Sequence, residues 1–360
     1  MARADDEINK LSETLLDNVL DLEDAKLETP VRSLSNVDYD ETDGFFKLQG
    51  SMKERQLTAN TAKTFAQTLR LMSLSKELIE TEDIATKREA YYVSKNWDDA
   101  RFKKQDQSDN LMDDIEAMFR VNREQLGFIA DEGGGSVAGE LTVIDEDPTT
   151  GEKIEIDCTE FGSGSYSVPS DVEHLEFKTD ADFVLAIETR GMFERLNKHN
   201  FWKDQNCILI SMGGVPARAC RRFTRRLSDQ IGIPVYVFTD GDPYGYLNIY
   251  RTLKVGSGNA AHINEHFCVP RAQFIGITPD DIETYDLPTH DLEDVDRKRI
   301  SDGISNDPFI EKHESWQNAL EQLDNMGVRA EQQSLAKHGL NFVLSDYLPD
   351  KLNSQDSWLA

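Results

Sequence analysis

From about residue 180 the chain repeats one pattern, and that pattern limits the fold more than any other feature. Four short apolar runs occur: "FVLAI" (183–187), "CILISM" (207–212), "PVYVFT" (234–239) and "AQFIGIT" (272–278). Runs this short without period-two alternation bury both faces of a strand, as a parallel sheet covered by helices requires. Helical stretches separate them: Met192, Phe193 and Leu196 share one face, Pro216 opens a second helix, and a third follows Asp240. This half is expected to be α/β with a mainly parallel sheet. From about residue 308, "DPFIEKHESWQNALEQL" returns to helix.

The first half reads differently. Residues 5–30 carry Ile8, Leu11, Leu15, Val19 and Leu22 at helical spacing, predicting one amphipathic helix. Two roles stay open for it, a partner-docking arm or a helix packed on its own domain. Residues 31–57 show no clear period. Ala62, Phe65, Ala66, Leu69 and Met72 then lie on one helical face, "TKREAYYVSKNW" forms a second short segment, and Leu111, Ile115, Met118 and Phe119 mark a third helix opening near Ser108. Alternating strands at Glu140–Ile144 and Lys153–Ile156 flank a polar turn with Pro148 and Gly151. Three helices and a hairpin outline a winged helix, an α+β unit. The expected division is an arm at 1–57, a winged-helix domain at 58–165 and the parallel-sheet domain at 166–360.

Charge and cysteines narrow the setting. The 67 acidic and 39 basic residues give a net charge of -28, spread along the chain and not gathered in a tail. A surface adapted to high salt and an acidic protein that avoids nucleic acid both fit. The four cysteines form no Cys-x-x-Cys pair, which argues against a zinc site or a disulfide framework. The N-terminus has no apolar signal core, and no run of 18 apolar residues occurs, so a soluble cytoplasmic protein with no membrane segment is expected.

The chemistry concentrates at the ends of two runs. "FVLAI" ends at Glu188, and "PVYVFT" breaks into Asp240, Gly241, Asp242 and Pro243. Ligands of open parallel sheets bind beyond the carboxyl ends of the strands. Alternate residues of an extended segment point the same way, so Asp240 and Asp242 can converge with Glu188 on a hard cation such as Mg²⁺. The plain alternative is that "DGDP" is only a turn. In "TKREAYYVSKNW", helical spacing sets Arg88 against Tyr92 and Lys87 against Tyr91. A guanidinium beside a phenol favours the phenolate and grips phosphate through paired hydrogen bonds. Such a phenolate can attack a phosphodiester, though adjacent tyrosines also serve simply as packing residues.

Three further features are ambiguous. Arg218, Arg221, Arg222, Arg225 and Arg226 crowd one helix, either facing phosphate or forming a solvated face. His262 and His266 stand four apart, but Ile263 occupies the position where a metalloprotease motif needs Glu, so they read as surface histidines. Gly213 and Gly214 suit either a phosphate approach or a tight turn.

A Glu after the first strand and D-x-D after the third resembles the Toprim domain of topoisomerases, primases and some nucleases. With "KREAYYVSKNW", "IETRGMFERL", "ILISMGGVPARACRRFTRRL" and "VFTDGDPYGYLNIYRTLKVGSGNAA", the resemblance extends to the A-subunit family of DNA topoisomerase VI and the related eukaryotic protein that makes meiotic double-strand breaks. It runs from about Thr58 to the last helix; the glycine-rich "DEGGGSVAGEL" matches loosely and the acidity exceeds that of most relatives. The resemblance implies the DNA-cleaving part of an ATP-dependent type IIB topoisomerase. Tyr92 would be the nucleophile that forms a 5′-phosphotyrosyl link, with Arg88 beside it and Glu188, Asp240 and Asp242 holding Mg²⁺. It also implies a homodimer acting on double-stranded DNA, an A2B2 heterotetramer whose B subunit binds ATP, and one protomer's tyrosine working with the other's carboxylates. No Gly-x-x-x-x-Gly-Lys-Ser/Thr loop is present, as expected if ATP is bound elsewhere. The acidity adds the expectation of a halophilic archaeal source, and the implied activity on DNA that of nucleoid association in the cytoplasm. A stand-alone Toprim nuclease and a non-catalytic winged-helix DNA-binding protein are the other readings.

Overall fold

The computed structural model describes residues 2–130, 133–147 and 149–359, so Asp131, Glu132 and the predicted turn residue Pro148 lie outside the described residues. The chain divides into two compact units: residues 1–38, 46–132 and 257–265, and residues 39–45, 133–256 and 266–360.

The first unit is built on four helices: α1 (Ala2–Leu20), α2 (Ala62–Thr81), α3 (Lys87–Val93) and α4 (Gln105–Phe119). Ala4 and Ile8 of α1 join the same core as Leu71 and Met72 of α2 and Leu111 and Ile115 of α4. The front of α1 is thus a packing face, while Val19 and Leu22 of the predicted stripe are exposed. The expected helix at 5–30 ends early. Lys26–Pro30 is a strand paired antiparallel with Met52–Gln56, because "KLETP" alternates and Pro30 cannot continue a helix. Strands Val37–Asp40 and Phe45–Leu48 fill part of the stretch that lacked a period.

The hairpin expected to be a wing forms at Thr142–Glu146 and Lys153–Asp157, shifted by two residues in its first strand. It groups with the second unit, where Glu176–Lys178 extends it to a three-stranded sheet. In the first unit, Ala85–Thr86 pairs instead with Phe128–Ile129 in parallel, just before α3.

The second unit centres on a six-stranded sheet in the spatial order Tyr166–Ser167, Ser136–Gly139, Cys207–Ser211, Phe183–Ile187, Val235–Phe238, Gln273–Gly276. The last four are mutually parallel and only Ser136–Gly139 runs antiparallel to its neighbours, so the sheet is mainly parallel as expected. Every residue of Phe183–Ile187 and Cys207–Ser211 is buried, which is what their unbroken apolar runs demand. The C-terminal helical region breaks at His313 into Pro308–Lys312 and Glu314–Met326. Among the described residues no helix is long and apolar enough to cross a membrane.

Candidate active site

In the first unit the short helix α3 presents the tyrosines. Its start is fixed by a reciprocal cap: Glu89 N–H donates to Thr86 Oγ1 at 3.1 Å, and Thr86 N–H donates to Glu89 Oε2 at 2.7 Å. Seven residues alone make a marginal helix, so the cap and the fully buried Ala90 carry much of its stability. Replacing Thr86 by Ala is expected to cost about 1 kcal/mol in a denaturant melt, and Thr86→Ser much less.

The helix turns its two tyrosines differently. Tyr91 packs against the core, donates its hydroxyl to the Lys103 carbonyl at 3.3 Å, and carries the Lys95 ammonium 3.8 Å from its ring centre. Tyr92 is 57% exposed. One turn earlier Arg88 is exposed too, and neither side chain has a hydrogen-bond or ion-pair partner among the described residues. Lys87, by contrast, is committed to Asp109 at 3.0 Å.

In the second unit the parallel strands run in the order second, first, third, fourth along the chain. The order reverses at the first, Phe183–Ile187, which makes its boundary with Val235–Phe238 a switch point where ligands enter open α/β sheets. Glu188 stands at the carboxyl end of one strand and Asp240 just past the end of the other. Glu188 N–H donates to the Phe238 carbonyl at 3.0 Å, and Asp240 N–H donates to Glu188 Oε2 at 2.8 Å. Burial, and then the Asp240 charge, push the Glu188 carboxyl up to about 8. Burial, and then the charges of Asp242 and Glu331, push Asp240 up to about 6. No cation among the described residues pairs with either, so two carboxyl groups share a poorly solvated place that resists ionising both.

Asp242 is handled differently. Its Oδ1 accepts the Gly245 N–H at 2.5 Å and so caps the next helical turn. Burial raises its carboxyl, while Arg329 and Arg299 pull against that rise. Among the described residues no three His, Cys, Asp or Glu side chains stand close enough to hold an ion, so the expected three-way convergence is not met in this arrangement. The physical reason is that the chain turns helical at Pro243, directly after Asp242, and draws Asp242 into its cap. The closeness of that turn requires glycine: a Cβ at Gly245 would lie 2.7 Å from the Asp240 carbonyl oxygen.

The donor chemistry of Glu188 and Asp240 fits Mg²⁺, which takes oxygen ligands and is commonly held by one or two carboxylates together with substrate phosphate and water. Gly213 and Gly214, both at positive φ, form the neighbouring loop, and Gly214 N–H donates to the Glu188 carbonyl at 3.0 Å.

The other candidates resolve into structural roles. Arg222 holds Glu173 through two hydrogen bonds of 2.5 and 2.7 Å, Arg225 reaches the Cys268 carbonyl at 2.7 Å, and Arg226 reaches the Leu175 carbonyl at 2.6 Å. These arginines tie their helix to neighbouring loops of the same unit. His262 is not at the surface: its side chain is buried 3.4 Å from the equally buried Glu116 carboxylate. His266 is exposed as expected. All four cysteines are free and buried.

Sequence reasoning missed the segment Arg329 to Gln332. Gly241 and Ala330 exchange backbone hydrogen bonds of 2.7 and 3.1 Å, and Gln332 N–H donates to Asp240 Oδ1 at 2.7 Å. Nothing in "VRAEQQ" has a periodic or motif signal; its role comes only from where the chain returns.

Comparison with known proteins matches three stretches of the chain. Residues 183–352 match the family model that describes the Toprim domain of the topoisomerase 6 A-subunit and Spo11. Residues 63–128 match Type IIB DNA topoisomerase, and 131–181 match the all-beta domain in DNA topoisomerase VI alpha subunit. The boundary expected at 165/166 therefore falls inside the all-beta match. The chain is 53% identical to the type 2 DNA topoisomerase 6 A-subunit of Methanocaldococcus jannaschii, over 99% of this chain and 96% of that protein. It is 37% identical to the A-subunit of Halobacterium salinarum, over 97% and 95%. With the A-subunit of Pyrococcus abyssi it shares 36% identity, over 96% and 92%. Identity is thus higher to a methanogen's protein than to this halophile's, and does not favour the halophilic source that the acidity suggested.

Proposed function

The chain belongs to the A-subunit family of type IIB DNA topoisomerases, the DNA-cleaving component, and we propose that Tyr92 is its nucleophile. The observation that carries this is the contrast within α3: the Tyr91 hydroxyl is engaged and its ring packed, whereas Tyr92 and Arg88 project to the surface uncommitted. Tyr92 Oη attacks the phosphorus of a DNA phosphodiester. A bond forms from the phenol oxygen to phosphorus, the bond to the 3′ oxygen breaks, the phenol proton passes to solvent, and the leaving 3′ oxygen takes up a proton. The 5′ phosphate stays on the enzyme, and the reverse step reseals the strand. Arg88 binds the non-bridging oxygens and offsets the charge that builds on them.

Glu188 and Asp240 would hold Mg²⁺, with Asp242 acting through water. When bound, the ion supplies charge neutralisation at the phosphate and the departing oxygen. The chain's own contribution is a pair of buried carboxyl groups that hold on to protons until a cation offsets their charge. Two protomers cut opposite strands of double-stranded DNA and open a break for passage of a second duplex, giving relaxation and decatenation. The ATP-binding B subunit completes an A2B2 assembly, at the nucleoid in the cytoplasm. The helical part with α3 is read as the DNA-binding domain and the parallel-sheet part as the Mg²⁺ domain.

The test is detergent trapping of the cleavage reaction on linear DNA with a B subunit, Mg²⁺ and ATP. Protein attached to 5′ ends is the expected result. Cleavage without attachment would identify a nuclease that uses water, and DNA binding without cleavage would identify a non-catalytic binding protein.

A further inference from the structure

The residues 329–332, "RAEQ", lie across the loop that carries Asp240 and Asp242. Gln332 is fully buried, and its backbone N–H and both ends of its side-chain amide are engaged around the carboxylate pair. The backbone N–H donates to Asp240 Oδ1 at 2.7 Å. The side-chain Nε2 donates to the Phe238 carbonyl at 3.0 Å, and Oε1 accepts the Thr189 hydroxyl at 2.8 Å. Phe238 is two residues before Asp240 and Thr189 directly follows Glu188. The same Phe238 carbonyl also accepts the Glu188 N–H at 3.0 Å. One amide therefore bridges the ends of both strands that deliver the carboxylates.

We infer that Gln332, together with Thr189, is a positioning residue for the cleavage site, setting the spacing of Glu188 and Asp240 for a divalent cation. The inference rests on the reading that this pair holds the cation. Two buried carboxylates repel each other once both are ionised, as a cation requires, so an untied pair would spread apart on losing its protons, and closing it would weaken binding. A lysine or arginine tie would hold the pair but would also take the cation's place. A neutral amide fixes the spacing and leaves the negative charge available. Glutamate at 332 would lose the donor to Phe238 and add a further charge, and asparagine is one methylene too short to span both strand ends. Arg329 anchors the same segment through the buried Asp296 at 3.1 Å.

The test uses the full-length protein and Mn²⁺ as the probe, titrated by electron paramagnetic resonance. Wild type is compared with Asp240→Asn, Thr189→Val, Thr189→Ser, Gln332→Leu and, as control, the exposed Gln333→Ala. Asp240→Asn is expected to lose saturable binding. Thr189→Val and Gln332→Leu should weaken Mn²⁺ affinity about tenfold, the usual effect of removing a group that orients a metal ligand. Thr189→Ser and Gln333→Ala should match wild type. In cleavage with the B subunit, Thr189→Val should raise the Mg²⁺ concentration needed while approaching the wild-type rate at saturation, a split that simple loss of stability does not produce. If Gln332→Leu fails to fold, the Thr189 pair decides alone. Wild-type Mn²⁺ affinity in Thr189→Val, with Asp240→Asn defective, overturns the inference. Wild-type affinity in Asp240→Asn overturns the metal reading itself, and the inference with it.

Discussion

Replacing Tyr92 by Phe is expected to abolish covalent attachment to DNA, lowering trapped complex by at least about a thousandfold, because removal of a nucleophile leaves only positioning and electrostatic effects. The fold should be untouched, since the lost hydroxyl has no hydrogen-bond partner among the described residues and the ring is mostly in solvent. Tyr91→Phe removes one hydrogen bond to the Lys103 carbonyl. Its cost should be about 1 kcal/mol of stability, with cleavage within a few-fold of wild type. Arg88→Ala should fall between them, and Arg88→Lys should recover only part of the loss because an ammonium cannot make the paired contact to phosphate. Trapping all four variants on end-labelled DNA gives the ranking. Activity in Tyr92→Phe with none in Tyr91→Phe would reverse the assignment of the nucleophile.

The second large effect is at the carboxylates. Glu188→Ala or Asp240→Ala should remove Mg²⁺-dependent cleavage, while Asp242→Ala should retain part of it, since that side chain also caps the turn at Gly245. The sign of the pH dependence follows from the raised carboxyls. Glu188 titrates near 8 and Asp240 near 6 in the folded chain, against about 4.3 and 3.9 in an unfolded one. In metal-free protein the unfolded chain therefore loses these protons first. Ionisation favours unfolding, and stability declines from about pH 4 until Glu188 itself ionises near 8. Cation binding has the opposite slope, because it must displace the protons: affinity should fall about tenfold per pH unit below 8, and more steeply below 6. Thermal unfolding of wild type and Glu188→Gln across pH 5 to 9, with and without Mg²⁺, checks both. A flat metal-free profile identical in the two proteins would remove the buried-pair argument.

Much of this is legible in the sequence because it is written locally. The four apolar runs mark the parallel strands to within a residue or two, since a strand buried on both faces can contain little else. The strand-end carboxylates and the "REAYY" segment stand out as polar groups placed where a short helix or a strand end would present them. Local pattern fails where pairing partners are distant. "KLETP" reads as part of a helix because its partner, Met52–Gln56, lies more than twenty residues away. The hairpin at 142–157 reads as a hairpin that belongs with the three helices, yet a strand's neighbours are chosen by packing, and it joins the second unit. The arginine-rich helix resembles a phosphate surface in sequence, whereas in the fold its guanidiniums hold Glu173 and the carbonyls of Leu175 and Cys268. What only the tertiary structure decided is the environment of the chemistry: which tyrosine faces out, how Asp242 is used, and that a glutamine 92 residues after Asp240 holds it in place. Hydrogen bonds between residues so far apart in the chain leave no period in the sequence, because they depend on the path of the backbone and not on the spacing of side chains.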